Sequence, residues 1–150
     1  MSLPEGRLDH HDLCFGCGIA NLFGLQMEIV RAERGGGVVG RFFVKQDHQG
    51  PPGYAHGGVI AAALDDAMAV LLHASGKLAV TRSIEVDFRA PVPVGVFVVV
   101  EAEVERREEG RVWLRSIART EGEGATVVAE ATAQFKELGD LPPEALSRAT

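Results

Sequence analysis

Cysteine is scarce in this chain: Cys14 and Cys17 are the only two in 150 residues, too few for a disulfide framework. Long hydrophobic runs are also missing. The longest apolar stretches, near residues 59–64 and 92–100, fall short of the roughly 20 residues needed to cross a bilayer. The first six residues, Met1 to Gly6, have neither the cationic start nor the apolar middle of a secretory signal, so a cytoplasmic protein without a membrane partner is expected. An excess of positive charge is absent as well. The formal charge is −6, and basic residues alternate with acidic ones, as in Glu105-Arg106-Arg107-Glu108-Glu109. No cationic surface is therefore available to track a phosphate backbone, and nucleic acid is excluded as an expected partner.

What the chain does have is 46% hydrophobic residues, enough for an ordinary core in a single domain. The spacing of Cys14 and Cys17 reads as a metal, redox or turn motif, with His10 and His11 just upstream. Structural zinc sites usually draw their ligands from two separated pairs, so the cysteines are read as a packed turn with buried thiols, and neither metal nor cofactor is expected. A small zinc protein organised by His11, Cys14 and Cys17 is the competing reading.

Apolar residues recur mostly with period two, the mark of strands whose alternate side chains enter a core. Strands are expected over 25–29 and 38–45, joined by the glycines at 35–37, and later over 78–90, 94–106, 111–120 and 125–136, separated by short turns that include Gly122-Glu123-Gly124. A Gly/Pro-rich loop from Gln49 to Gly53 leads to Gly57-Gly58 and one helix over 59–73. That helix is apolar on most of its circumference and therefore buried. Two strands, a buried helix and four strands describe an α+β domain in which a curved antiparallel sheet wraps one long helix. The core is expected over about 14–137, with a frayed tail after Leu138.

Two adjacent carboxylates, Asp65 and Asp66, sit in the middle of this apolar helix. A carboxylate there is costly to bury and rarely serves packing, but periodicity alone does not say which of the two faces a site. Gly57 and Gly58 would let a ligand approach backbone N–H groups that have no partner inside the helix.

The segment from His48 through His56-Gly57-Gly58, followed by Leu64-Asp65-Asp66-Ala67, resembles the active-site stretch of hotdog-fold thioesterases of the phenylacetic-acid-pathway and 4-hydroxybenzoyl-CoA types. Residues 81–91 and 129–135 are similar to strands of that family, and Cys14-Phe15-Gly16-Cys17-Gly18 is similar to an N-terminal signature of one subgroup. The resemblance implies a hotdog fold, hydrolysis of an acyl-CoA-type thioester, and Asp65 as nucleophile or general base. Amides such as those of Gly57 and Gly58 would hold the oxyanion, each worth about 3 kcal/mol. It gives His56 a supporting role that orients the loop, and Thr81 a hydroxyl that helps hold water or the aspartate. Gly58, His48 and Asp66 are further candidates for substrate contact, with Asp66 a solvated or hydrogen-bonded neighbour. Asp65 follows His56 by nine residues; if both were helical they would point about 180° apart and stand about 13 Å from each other along the axis. One chain would not bring both to one thioester, so a homodimer or dimer of dimers with shared sites is expected. A hotdog hydratase or dehydratase and a non-catalytic acyl-CoA-binding module are the alternatives.

Overall fold

The computed structural model describes residues 6–122 and 124–146. Strands β1 (Glu28–Arg31) and β2 (Val38–Phe43) precede helix α1 (Gly57–Ala74). Strands β3 (Lys77–Phe88), β4 (Phe97–Glu108), β5 (Arg111–Thr120) and β6 (Val127–Asp140) follow, and then a single turn, α2 (Pro143–Leu146). Every strand pairing is antiparallel, in one sheet of order β1-β2-β4-β5-β6-β3, so β1 and β3 form its edges. This is the α+β arrangement of one helix against a curved sheet that the sequence pattern predicts.

Helix α1 is rich in Ala, Leu and Met, all good helix formers. It buries Ile60, Ala63, Leu64, Ala67, Met68, Val70, Leu71 and Leu72 against Val98 and Val100 of β4, Leu114 of β5, and Ala129 and Phe135 of β6. Each fully buried Leu or Met side chain contributes about 1.5–3 kcal/mol. By length and hydropathy α1 is apolar enough to cross a membrane, but half of it is buried inside the fold, and that burial accounts for its composition.

Two boundaries differ from expectation for a reason visible in the hydrogen bonding. The first strand begins at Glu28 rather than Leu25, because the backbone of residues 25–27 is engaged elsewhere: Leu25 N–H donates to Phe15 C=O (2.8 Å), Met27 N–H donates to Gly16 C=O (2.9 Å), and Gln26 takes a positive φ of 49°. These donors hold the Cys14–Cys17 turn instead of extending the ladder. At the other end β6 continues past Leu138, pairing Gly139 with Leu78 and Asp140 with Lys77, whose ammonium donates to Asp140 at 2.6 Å. Residues 138–140 are thus strand rather than tail. Glu123 of the expected turn, the terminal residues 147–150 and the leading residues 1–5 lie outside the described residues. Among the aromatic residues Phe42 is buried, while Phe43 and Phe88 are exposed.

The edge strand β3 carries register shifts at Leu78/Ala79 and at Thr81/Ser83, and it exposes Leu78, Val80, Ile84 and Phe88.

Candidate active site

The loop entering α1 is closed by its own backbone and by two histidines. His56 has extended dihedrals (φ −63°, ψ 137°) and caps the helix, its Nδ1 accepting the Gly58 N–H at 2.8 Å. The His56 N–H in turn donates to the His48 carbonyl at 2.7 Å. Gly50 must be glycine here, since a Cβ would lie 2.9 Å from the His56 Cα. The supporting role expected of His56 has this physical form.

His48 is a correction. It is 2% exposed, its Nδ1 accepts the Lys45 N–H at 3.0 Å, and its Nε2 faces the Gly24 carbonyl at 3.4 Å. Burial lowers its pKa, which favours the neutral ring these contacts use. It ties the loop to the Gly24 turn, and its buried ring offers almost no surface to a ligand. Gly58 is a second correction: its N–H is taken by His56, leaving Gly57 as the exposed amide with no acceptor among the described residues. Gly57 borders an open cleft with Ala55, Ile60, Phe88, Arg89 and Val128, and the Phe88 ring lies 3.6 Å from where a Gly57 Cβ would stand. Arg89 is the cation of this lining, and it is held by Asp87 (3.5 Å) and Glu130.

Two turns along the helix, Asp65 is half-buried and accepts a hydrogen bond from Thr81 Oγ1 of β3 at 2.7 Å. The structure thus brings together Asp65 and Thr81, and separately His56 and the two glycines.

Asp66 points elsewhere. It is 7% exposed and hydrogen-bonded, the second of the two surroundings expected of it, and its carboxylate is turned to the N-terminal segment rather than to the Asp65 side of the helix. Its Oδ1 lies 3.3 Å from Cys14 Sγ and 3.3 Å from His10 Nδ1, while His10 Nδ1 is 3.5 Å from both Cys14 Sγ and Cys17 Sγ. Burial raises the Asp66 pKa. Burial works against a charged His10, yet the hydrogen bonds to Asp66 and Cys14 raise its pKa to about 10. The contact with Cys17 pulls the Cys14 thiol far below its ordinary range despite burial, and the same contact, with burial, pushes Cys17 up. His11, the histidine expected beside the cysteines, is exposed and accepts the Leu13 N–H at 3.2 Å. Sequence spacing could not find Asp66 as a partner of the cysteines, fifty residues away. The one signal was Gly16, where a Cβ would sit 2.3 Å from the Asp66 Cγ.

Residues 52–112, which run from the loop through β5, match the thioesterase superfamily. The acyl-coenzyme A thioesterase THEM5 of Homo sapiens is 31% identical over 90 residues, 60% of this chain and 36% of that protein. The PaaI protein of the Escherichia coli phenylacetic acid degradation operon superposes with a TM-score of 0.70 at 20% identity, covering 78% of this chain and 83% of that one. Over residues 52–112 the chain is similar to the thioesterase superfamily. Its hotdog fold is shared with the Streptococcus mutans protein smu.793, solved bound to acetyl-CoA (TM-score 0.70, 19% identity, 77% of this chain and 91% of that one). The chain spans little more than a third of the length of THEM5. The matched stretch contains Gly57, Asp65 and Thr81, and leaves out His10, Cys14 and Cys17.

Proposed function

We propose that the protein hydrolyses acyl-CoA thioesters, with Asp65 at the reacting carbon and the Gly57 amide at the carbonyl oxygen. The observation that carries this is Asp65 itself: a half-buried carboxylate in the middle of an apolar helix, oriented by Thr81 from the neighbouring strand. Such a group has no packing purpose. The names of the curated relatives and the acetyl-CoA bound to the Streptococcus mutans protein support the substrate class.

Two routes fit one carboxylate. As general base, Asp65 takes a proton from water while the oxygen bonds to the thioester carbon; the C–S bond then breaks and the proton passes to the leaving CoA sulfur. As nucleophile, it forms an acyl anhydride with loss of CoA thiolate, and water opens the anhydride. In both routes the carbonyl oxygen gains negative charge, which a free N–H at a helix N-terminus is placed to stabilise.

Along α1, Gly57 and Asp65 are eight residues and so about 12 Å apart. We propose that the complete site forms across a homodimer, Gly57 of one protomer meeting Asp65 of the other. Edge strand β3 supports this pairing, since it is an open sheet edge that exposes Leu78, Val80, Ile84 and Phe88. Arg89, on the wall of the Gly57 cleft, is the cation offered to the CoA phosphates. The test is release of free thiol from a panel of short, medium and aromatic acyl-CoAs. Turnover of at least one class is expected; saturable binding of acyl-CoA without thiol release would make the protein a binding module instead.

A further inference from the structure

The cluster of His10, Cys14, Cys17 and Asp66 lies outside the proposed catalytic arrangement and has no role in it. Its four donor atoms all lie within 4.8 Å of one another. The measured edges are 3.3 Å from Asp66 Oδ1 to Cys14 Sγ, 3.3 Å to His10 Nδ1, and 3.5 Å from that nitrogen to each sulfur. Bonds of about 2.3 Å to sulfur and about 2.0–2.2 Å to nitrogen and oxygen, at tetrahedral angles, place donor atoms about 3.3–3.8 Å apart. Four of the six edges lie in that range, and the other two are within 4.8 Å.

Hydrogen bonding does not account for the arrangement. An imidazole nitrogen offers one proton or one lone pair in a single direction, yet three partners converge on His10 Nδ1. Asp66 Oδ2 is buried without any hydrogen-bond partner. A buried carboxylate left half-satisfied is costly unless its other oxygen is bound to something stronger than a hydrogen bond.

We propose that His10, Cys14, Cys17 and Asp66 form a closed structural site for one zinc ion, which clamps the N-terminal segment to the centre of α1. Two Zn–S bonds, one Zn–N bond and one Zn–O bond form; any thiol or imidazolium protons pass to solvent, and no electron is transferred. Four protein ligands leave no open position, which makes the site structural rather than catalytic. Sulfur with nitrogen in a tetrahedral set favours zinc over the hard cations magnesium and calcium. The backbone is shaped for the same purpose. Gly16 lets the turn lie against Asp66, and at Gly18 a Cβ would be 2.4 Å from the Asp12 carbonyl and the Cys14 nitrogen. Two thiolates, one carboxylate and a neutral imidazole around Zn²⁺ sum to one negative charge. Arg7 meets it: buried, in no ion pair among the described residues, it donates to the Cys17 carbonyl at 2.7 Å.

This proposal is independent of the thioesterase reading and is tested without an activity assay. The full chain, purified under reducing conditions without chelator, is analysed for metal by mass spectrometry. The expectation is about one zinc per chain, reduced at least tenfold in Cys17→Ser and His10→Ala and unchanged in His11→Ala. As a second measurement, wild-type protein stripped by a chelator is titrated with cobalt(II). Thiolate-to-cobalt charge transfer together with the intense visible bands of tetrahedral cobalt is expected. Should the variants fail to fold, the wild-type spectrum alone decides. A wild-type chain that takes up neither zinc nor cobalt overturns the site, whether or not its cysteines join in a disulfide. So does metal content that survives in folded His10→Ala and Cys17→Ser, or that falls in His11→Ala.

Discussion

Replacing Asp65 by Asn isolates chemistry from structure. The amide keeps the volume of the carboxylate, and its oxygen still accepts the Thr81 hydroxyl, so the 2.7 Å contact survives in neutral form. A hydrogen bond to a charged acceptor is worth about 1.5–3 kcal/mol against about 1 for a neutral one, so the loss on this account is on the order of 1 kcal/mol. Relief of burying a charge at a half-buried position offsets part of it. Folding is therefore nearly unchanged. The chemical step is not: Asn is neither nucleophile nor base, and loss of base catalysis alone is worth about 10²- to 10⁴-fold. At about 1.36 kcal/mol per factor of ten, that raises the barrier by about 2.7–5.4 kcal/mol. The assay is thiol release from the best acyl-CoA of the panel, with kcat and KM measured separately and thermal unfolding followed in parallel. A fall in kcat of at least about a hundredfold with KM and Tm little altered is expected. A folded Asp65→Asn protein that retains kcat within about threefold of wild type refutes the assignment, because no general-base or nucleophilic role is compatible with so small a loss.

Three further outcomes follow from the same geometry. Asp65→Ala and Gly57→Val, each inactive alone, should recover part of the activity when co-folded as mixed dimers; verified heterodimers that stay inactive would remove the shared site. Placing a charge on the exposed β3 edge with Ile84→Lys should shift the protein from dimer to monomer in light scattering and lower activity with it, whereas an unchanged mass would move the interface elsewhere. His56→Ala removes the helix cap on Gly58 and should cost about 1 kcal/mol, or a Tm lower by about 2–4 °C, which calorimetry reads directly.

How much of this was legible in the sequence depended on the range over which each interaction acts. Strand β5 appears where its alternation put it, 111–120, and α1 differs from its expected span by two residues at one end and one at the other. Period and composition are local signals, and these elements are governed by them. The first strand was misplaced because the donors of Leu25 and Met27 are satisfied by Phe15 and Gly16, a loop whose position periodicity does not encode. The candidate site divides in the same way. Asp65 was picked out by resemblance, and its partner Thr81 lies on the strand anticipated for it. His48 was misjudged because its ring contacts depend on the Gly24 turn. The partners of Asp66 were hidden because its environment is made by a segment some fifty residues earlier in the chain. Two neighbouring carboxylates on one helix thus face different surroundings, and only the three-dimensional structure separates them.

The irregularity in β3 between Thr81 and Ser83 acts as a parity switch. In an unbroken strand, odd and even positions face opposite sides. Here Ala79 packs on the core and Thr81 reaches Asp65, both odd, while Val86 packs on the core and Phe88 lies beside Gly57, both even. One extra residue, Arg82, which takes no place in the pairing of β3 with β6, lets a single strand present both Thr81 and Phe88 to the same helix. Removing Arg82 would restore strict alternation, and then either the hydroxyl that bonds Asp65 or the ring beside Gly57 would be turned to the far side of the sheet.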